Sequence, residues 1–578
     1  MAVGTGKGKR MKERLGKPLP LGVAAENGKM NFSVAVPEGK DCSLLLYRAG
    51  DQEPYQEYPM EAALGEVRCL GLEDIEDCME YNYRIGDEIV VDPRAKSLSG
   101  REIWGEERDI QKHQVRGVLR EDPFDWEGDV PLDLPLHQVI AYSLHVRGFT
   151  KDAFSKVKDK GTFEGVIEKL PYLKELGINQ IQCMPVYEFQ ECGRYRNYWG
   201  YGPAWYFAPK SAYSACGNGP LSLKQMVKAC HQEGIEVALE MPFAGGTPGF
   251  VAEDCLRYYR MEYHIDGFIL NPLNAPMESV CQDPILKKTK ILRHDLEFMN
   301  TMRRFLKGDE GMVDSVIYWL RHVTGREGAF NSITGHTGFT LNDLVSYDGK
   351  HNEANGENNE DGPDYNYSWN CGAEGPTRKK AVQELRERQR RNGMFLLLTA
   401  QGTPCLLAGD EFGNSQKGNN NVYCQDNPTG WLNWRKLEKE KEFFRFVKEL
   451  IYLRKSYPVL CPAEEMRGMD QTRCGVPDVS YHGENAWQVS SEVSSRQLGV
   501  YYSGAVTGGE DCFVAYNMHW LEHRFAIPAL PKGKEWYVAA TTDEGILEQP
   551  RRLKKQRQIE LKARTIMILA GRQKADEP

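Results

Sequence analysis

The residues that could do chemistry stand where apolar stretches end. "VALEMPF" carries Glu240, "DGFILNP" runs from Gly267–Leu270 into Asn271 and Pro272, and "TGHTGFT" carries His336 and Thr337. His294, Asp295, Glu297 and Glu411 lie near other such ends. Carboxyl and imidazole groups hold or move protons. An amide does neither well, so Asn271 is an odd choice at a place suited to a catalytic group. A second set is aromatic: Tyr198, Trp199 and Tyr201 in "NYWGYGPAW", whose ring faces can stack on a ligand or, equally, pack their own loop onto the protein. The run "HNEANGENNEDG" (351–362) has enough carboxylates and amides for Ca²⁺, but its spacing is not that of an EF-hand. A solvated loop is expected there, and no metal.

The elements that must position these groups form three regions. Residues 12–110 show short alternating stretches such as "MNFSVAV" and "DCSLLLY" broken by Gly, Pro, Asn and Asp, the rhythm of a β-sandwich. After a linker (111–137), residues 138–458 alternate apolar strands with amphipathic helical stretches. The strands are "VIAYSLHV", "INQIQCMPV", "EVALEMPF", "DGFIL", "AFNSITGH" and "GTPCLLAG". Repeated βα units of this length predict a parallel sheet closed into a (β/α)8 TIM barrel, whose functional groups sit at the C-terminal ends of its strands. Residues 459–572 return to strand-like pieces and predict a C-terminal β-sandwich domain. The class expected is therefore multidomain α/β.

Composition excludes several functions. The chain has 578 residues, 41% hydrophobic and 27% charged, as in ordinary globular proteins. A net charge of −9 argues against a general nucleic-acid or anionic-membrane binder. No run of about 18 apolar residues is present, so no membrane span is expected. The basic start "MAVGTGKGKRMKERLGK" is followed by no apolar leader core. The fifteen cysteines show no CxxC pair and are read as reduced thiols of a cytoplasmic protein, mostly core filler.

Long blocks carry a resemblance. "HVRGFT" (145–150), "NYWGYGPAWYFAPKSAYS" (197–214), "GFTLNDLVSYDGKHNEANGENNEDG" (338–362), "NYSWNCGAEGPT" (366–377) and "QGTPCLLAGDEFGNSQKGNNNVYCQDN" (401–427) resemble the isoamylase and bacterial glycogen-debranching branch of glycoside hydrolase family 13. The resemblance implies a family 48 carbohydrate-binding-type module first, an α-amylase-type barrel next, and cleavage of α-glucans at α-1,6 branch points with retention. No cofactor is implied.

Retention needs two carboxyl groups roughly 5 Å apart, one ionised and one protonated. The family adds a third. Set against the family's markers, Glu240 stands where an Asp is usual, and Ala244 and Gly245 replace its Asn-His pair. "GFILN" replaces Gly-Phe-Arg-Phe-Asp, so Ile269 stands for the Arg and Asn271 for the nucleophile. "KTKIL" and "RRFLKGD" flank a shortened stretch without the acid Glu, where His294 is the nearest positional match and Glu297 the nearest glutamate. His336 is kept, but Thr337 replaces the third carboxylate. Pro272 lacks a backbone N–H, which closes the cyclic-imide route from Asn271 to Asp.

The resemblance with these departures implies a catalytically silent debranching-enzyme homologue of α-glucan metabolism. It would bind glucan through Tyr198, Trp199, Tyr201 and His336, or act beside a catalytically competent debranching partner. Two alternatives stand beside it: residual α-1,6-glucosidase activity through relocated carboxylates, Glu240 and Glu297, and a protein-binding scaffold that no longer touches sugar.

Overall fold

The computed structural model describes residues 11–26, 29–76, 79–120, 123–490 and 492–574. The first ten residues of the basic opening stretch lie outside that set. No helix among the described residues is long and apolar enough to cross a membrane. The fourteen described cysteines form no disulfide.

The N-terminal region is two facing antiparallel sheets. One runs Lys12–Arg14, Val67–Glu73, Lys29–Ala35, Gly22–Glu26, and the other Leu98–Ser99, Arg116–Leu119, Met79–Ile85, Cys42–Tyr47, Gln56–Pro59. Alternate residues point inward, as a period of two requires. Phe32, Val34, Leu70 and Leu72 of one sheet meet Leu44, Leu46, Tyr81 and Tyr83 of the other in a common core. Arg116–Leu119 pairs with Met79–Ile85, so part of the segment expected as linker is a strand of this first region.

The central region supplies six parallel strands, β1 (Ala141–Leu144), β2 (Gln180–Cys183), β3 (Glu236–Met241), β4 (Gly267–Leu270), β5 (Lys290–Leu292) and β6 (Cys405–Leu407). Their order is β5-β4-β3-β2-β1-β6. Residues 329–331 join the two edges through isolated parallel bridges, Arg293 to Ala329 and Asn331 to Pro404. The strands therefore form a ring of seven members, where eight were expected. The missing member is explained by the chain after β5. Asp295 caps helix Leu296–Lys307 and Val313–Arg321 follows, so the span from Arg293 to Ala329 holds two helices and no strand. "AFNSITGH", expected as a full strand, contributes only these bridges.

Parity sorts the ring. Val237, Leu239 and Met241 of β3 and Phe268 and Leu270 of β4 point outward into the large core shared with the helices. Ala238, Ile269, Leu292, Phe330 and Cys405 point inward and pack on one another. The inward face thus also receives Glu236 at one end of β3 and Glu240 at the other. At the N-terminal end, Glu236 is buried with Gln180 and the Lys290 ammonium, a paired charge of the kind burial demands.

The C-terminal region is a six-stranded antiparallel sheet facing a two-stranded one, His523–Ala526 with Gln558–Leu561. Phe513, Trp536 and Leu569 of the first pack against Phe525, Ile559 and Leu561 of the second.

Candidate functional site at the strand ends

A cavity of about 640 Å³ opens at the C-terminal ends of β3, β4 and β5. Glu240, Asn271, His294, His336, Thr337 and Tyr201 all line it. Parity explains three of them. Glu240 is two residues beyond Ala238, Asn271 two beyond Ile269, and His294 two beyond Leu292, so each inherits the inward direction of a residue in the ring's interior.

Glu240 is the buried carboxylate of the cavity, with its side chain 10% exposed. Tyr201 donates its hydroxyl to Glu240 Oε1. His294 Nε2 lies 3.6 Å and His336 Nε2 3.9 Å from the same oxygen. The Tyr201 hydroxyl is also 2.6 Å from His336 Nε2. Burial alone would raise the pKa of Glu240, but the two imidazoles and Tyr201 outweigh it and hold the carboxyl down at about 2. Desolvation lowers the pKa of the half-exposed His294, but the Glu240 carboxylate outweighs this and raises it. Burial dominates at His336 and lowers its pKa.

Asn271 has a structural occupation. Its Oδ1 accepts from the Leu273 N–H at 3.0 Å, and its carbonyl accepts from Asn274 and Ala275. It closes the turn that leaves β4, a role in which Asn is common. Ile269, 2% exposed, fills the ring interior. Thr337 is exposed on the rim.

The aromatic block divides. Tyr198 and Trp199 are 1% and 5% exposed. Tyr198 donates to the Gly430 carbonyl at 3.2 Å, and Trp199 meets the His336 ring edge-on at 5.0 Å. Neither lines the cavity, contrary to their expected place in it, and of the block only Tyr201 brings a polar atom there. Gly148 packs against Tyr198, since a Cβ there would lie 2.0 Å from the Tyr198 hydroxyl. Glu297 lies on the exposed first turn of helix Leu296–Lys307 and does not line the cavity. Asp295 does line it, but its carboxyl caps that helix, accepting from the Glu297 N–H at 2.8 Å. Glu411 is buried, accepting from the Tyr142 hydroxyl at 2.7 Å and from Tyr172.

The loop 351–362, expected to be solvated, is exposed at His351, Glu353, Ala354, Gly356, Asn358 and Glu360, while two of its amides enter a buried network. Asn352 and Asn355 are 0% and 2% exposed. Asp361 Oδ2 accepts from Asn355 and Asn421 at 2.7 and 2.9 Å.

Several positioning residues escaped sequence reasoning. Asn274 donates to the Phe243 carbonyl at 2.7 Å, and Tyr206 accepts from the Ala244 N–H at 2.7 Å, so both pin the turn after Glu240. Asp410 accepts from the Leu341 N–H at 2.8 Å and from the Thr334 hydroxyl, clamping both ends of the segment that carries His336 and Thr337. Burial pushes its carboxyl up to about 7. An Asp in "AGDEFG" carries no local sign of a partner some seventy residues earlier.

Comparison with known proteins places this geometry. Residues 144–243 match the family described as "Alpha amylase, catalytic domain". The chain is 30% identical to "Isoamylase 3, chloroplastic" of Oryza sativa subsp. japonica, over 93% of this chain and 83% of that protein. It is 31% identical to "Glycogen operon protein GlgX homolog" of Haemophilus influenzae, over 76% of this chain and 84% of that one. Among solved structures, a pullulanase from Paenibacillus barengoltzii in complex with maltohexaose and α-cyclodextrin superposes with a TM-score of 0.74 at 18% identity, covering 96% of this chain and 95% of that chain.

Proposed function

The chain belongs to the family of isoamylases and GlgX-type glycogen operon proteins, and we propose that within it this protein binds α-glucan in the strand-end cavity without hydrolysing it. We read the seven-membered ring as a shortened (β/α)8 barrel of the α-amylase type, and the N-terminal sandwich as a carbohydrate-binding-type module.

One observation carries the reading: the carboxyl groups lining the cavity are Glu240 and Asp295, and neither is placed to donate a proton. Retaining hydrolysis needs an ionised and a protonated group about 5–5.5 Å apart, with the scissile bond between them. Asp295 is committed to its helix cap. Glu240 is held ionised. His294 could supply a proton, but at 3.6 Å from the Glu240 carboxylate it leaves no room for a sugar between them. The cavity offers instead an aromatic hydroxyl, an imidazole, an amide and apolar walls, a lining suited to holding a polyhydroxyl ligand. A debranching enzyme that completes the chemistry is the partner such a binder would serve.

Purified protein incubated with glycogen should release no linear chains. In affinity electrophoresis it should be retarded by glycogen, and maltoheptaose binding should fall at least about tenfold in Thr337→Trp, which fills the rim at an exposed position. Release of linear chains, lost in Glu240→Gln, would establish an active α-1,6-glucosidase. Absence of retardation would leave a scaffold that does not bind sugar.

A further inference from the structure

Three groups gather at the mouth of the ring, two of them sharing the Tyr201 hydroxyl and none bonded directly to another. Glu240, His294 and His336 come from the ends of three separate segments, β3, β5 and the bridge 329–331. Their ligand atoms lie within 4.8 Å of one another. The two imidazole nitrogens approach the same carboxylate oxygen at 3.6 and 3.9 Å. Both distances exceed the roughly 2.7–3.2 Å of an N–H···O bond. They are close to the separation of two ligands on one ion, because bonds of about 2.0–2.2 Å around a tetrahedral centre put neighbouring ligand atoms about 3.3 Å apart. Closing these separations to about 3.3 Å takes movement of both rings, of which His294 is half exposed.

We propose that Glu240, His294 and His336 form a binding site for one divalent transition-metal ion of the zinc class. The donor set favours this class: two imidazoles and a carboxylate suit a borderline ion such as Zn²⁺ or Co²⁺, whereas Ca²⁺ and Mg²⁺ take oxygen ligands. Three protein ligands leave a coordination position for water or a ligand hydroxyl, the arrangement of an open site and not of a closed structural one. That position faces the cavity, since all three residues line it. Tyr201, whose hydroxyl donates to Glu240, would hold the carboxylate from the second shell, and its contact with His336 Nε2 would give way to the ion. Glu240 is anchored on a strand and His336 lies in a segment clamped by Asp410, so two of the three ligands stand on anchored segments. The site is independent of the glucan reading, because an ion can bind there whether or not a sugar does.

The test is a metal titration of the full chain with no sugar present. After EDTA treatment and dialysis, Zn²⁺ and Co²⁺ are titrated by calorimetry, and the Co²⁺ complex is read by its visible ligand-field bands. The expected result is one ion per chain, with intense bands of a four- or five-coordinate N/O site and no thiolate charge-transfer band. A lost second-shell partner typically costs about 10–100-fold in affinity, so loss of a ligand in His294→Ala or Glu240→Gln should cost more than that. A Cys216→Ser/Cys474→Ser variant, lacking the two thiols exposed among the described residues, should bind as before. The metal-free His294→Ala protein should keep the near-UV and far-UV circular dichroism of the parent, since the ring is half exposed, which separates a lost ligand from a lost fold. No stoichiometric binding, a thiolate band, or affinity unchanged in both ligand variants would overturn the proposal.

Discussion

Replacing Asp410 by Asn tests the electrostatics that hold the His336 segment. The Asp410 carboxyl is 2% exposed and clamps Thr334 and Leu341. Arg303 is nearby, but it donates to the Ile333 and Asn366 carbonyls at 2.6 and 3.1 Å and so does not pair directly with the carboxylate. Burial raises the folded-state pKa from 3.8 to about 7. A carboxyl with a raised pKa contributes stability that is fully present below its unfolded value and is lost as pH rises through the folded one. The window is therefore from about pH 4 to about pH 7, and stability falls as pH rises. Three pK units correspond to about 4 kcal/mol in full, of which about 3 kcal/mol falls between pH 4.5 and 8. Asn keeps the acceptor for Leu341 and can donate to Thr334, but it does not titrate. Urea denaturation of both proteins should show Asp410→Asn gaining about 3 kcal/mol on the parent over that range, with similar stability at the acid end. A flat difference would mean that the group does not change charge there. A difference of opposite slope would mean that Arg303 holds the carboxylate ionised, and either result would refute the reasoning.

Asn271→Asp alone should yield no debranching activity in a reducing-end assay, because the other carboxyl groups lining the cavity are an ionised Glu240 and the helix-capping Asp295. Its effect on the unfolding midpoint should be small, since Asp can close the same turn at an exposed site. Arg454→Met should destabilise the central region by roughly 3–5 kcal/mol, read as a lowered urea midpoint. The buried guanidinium donates to the Leu398, Ala400 and Gly402 carbonyls at 2.8, 2.5 and 2.9 Å. These close the C-terminal end of helix Lys380–Thr399, and without them several buried carbonyls lose their partners.

The alternation of the central region was legible because a buried parallel strand is a short apolar run between helical periods, and both are local patterns. The same local period of two sets which residues of β3, β4 and β5 face inward, so the inward direction of Glu240, Asn271 and His294 follows from the sequence once the strands are placed. That residues 271 and 337 are an amide and a hydroxyl is likewise read directly from the chain. The strand count was less legible. Nothing local in "KTKILRHDLEFMNTM" says that the chain will turn straight into a helix after β5 and leave the ring to close through two single bridges.

What the sequence by itself determined is the set of side chains, their facing and the family to which their long blocks belong. Only the tertiary structure decided who meets whom. Glu297, close to His294 in the chain, is carried out of the cavity by the first turn of its helix, while His336, nearly a hundred residues from Glu240, comes within 3.9 Å of it. The loop 351–362 is largely open to solvent as its polar sequence implies, yet Asn352 and Asn355 are buried because residues 419–421 arrive to satisfy them. The physical reason is the same in each case. Backbone sterics fix direction over a few residues, but the meeting of distant groups depends on ring closure and loop docking, which no short stretch of chain encodes.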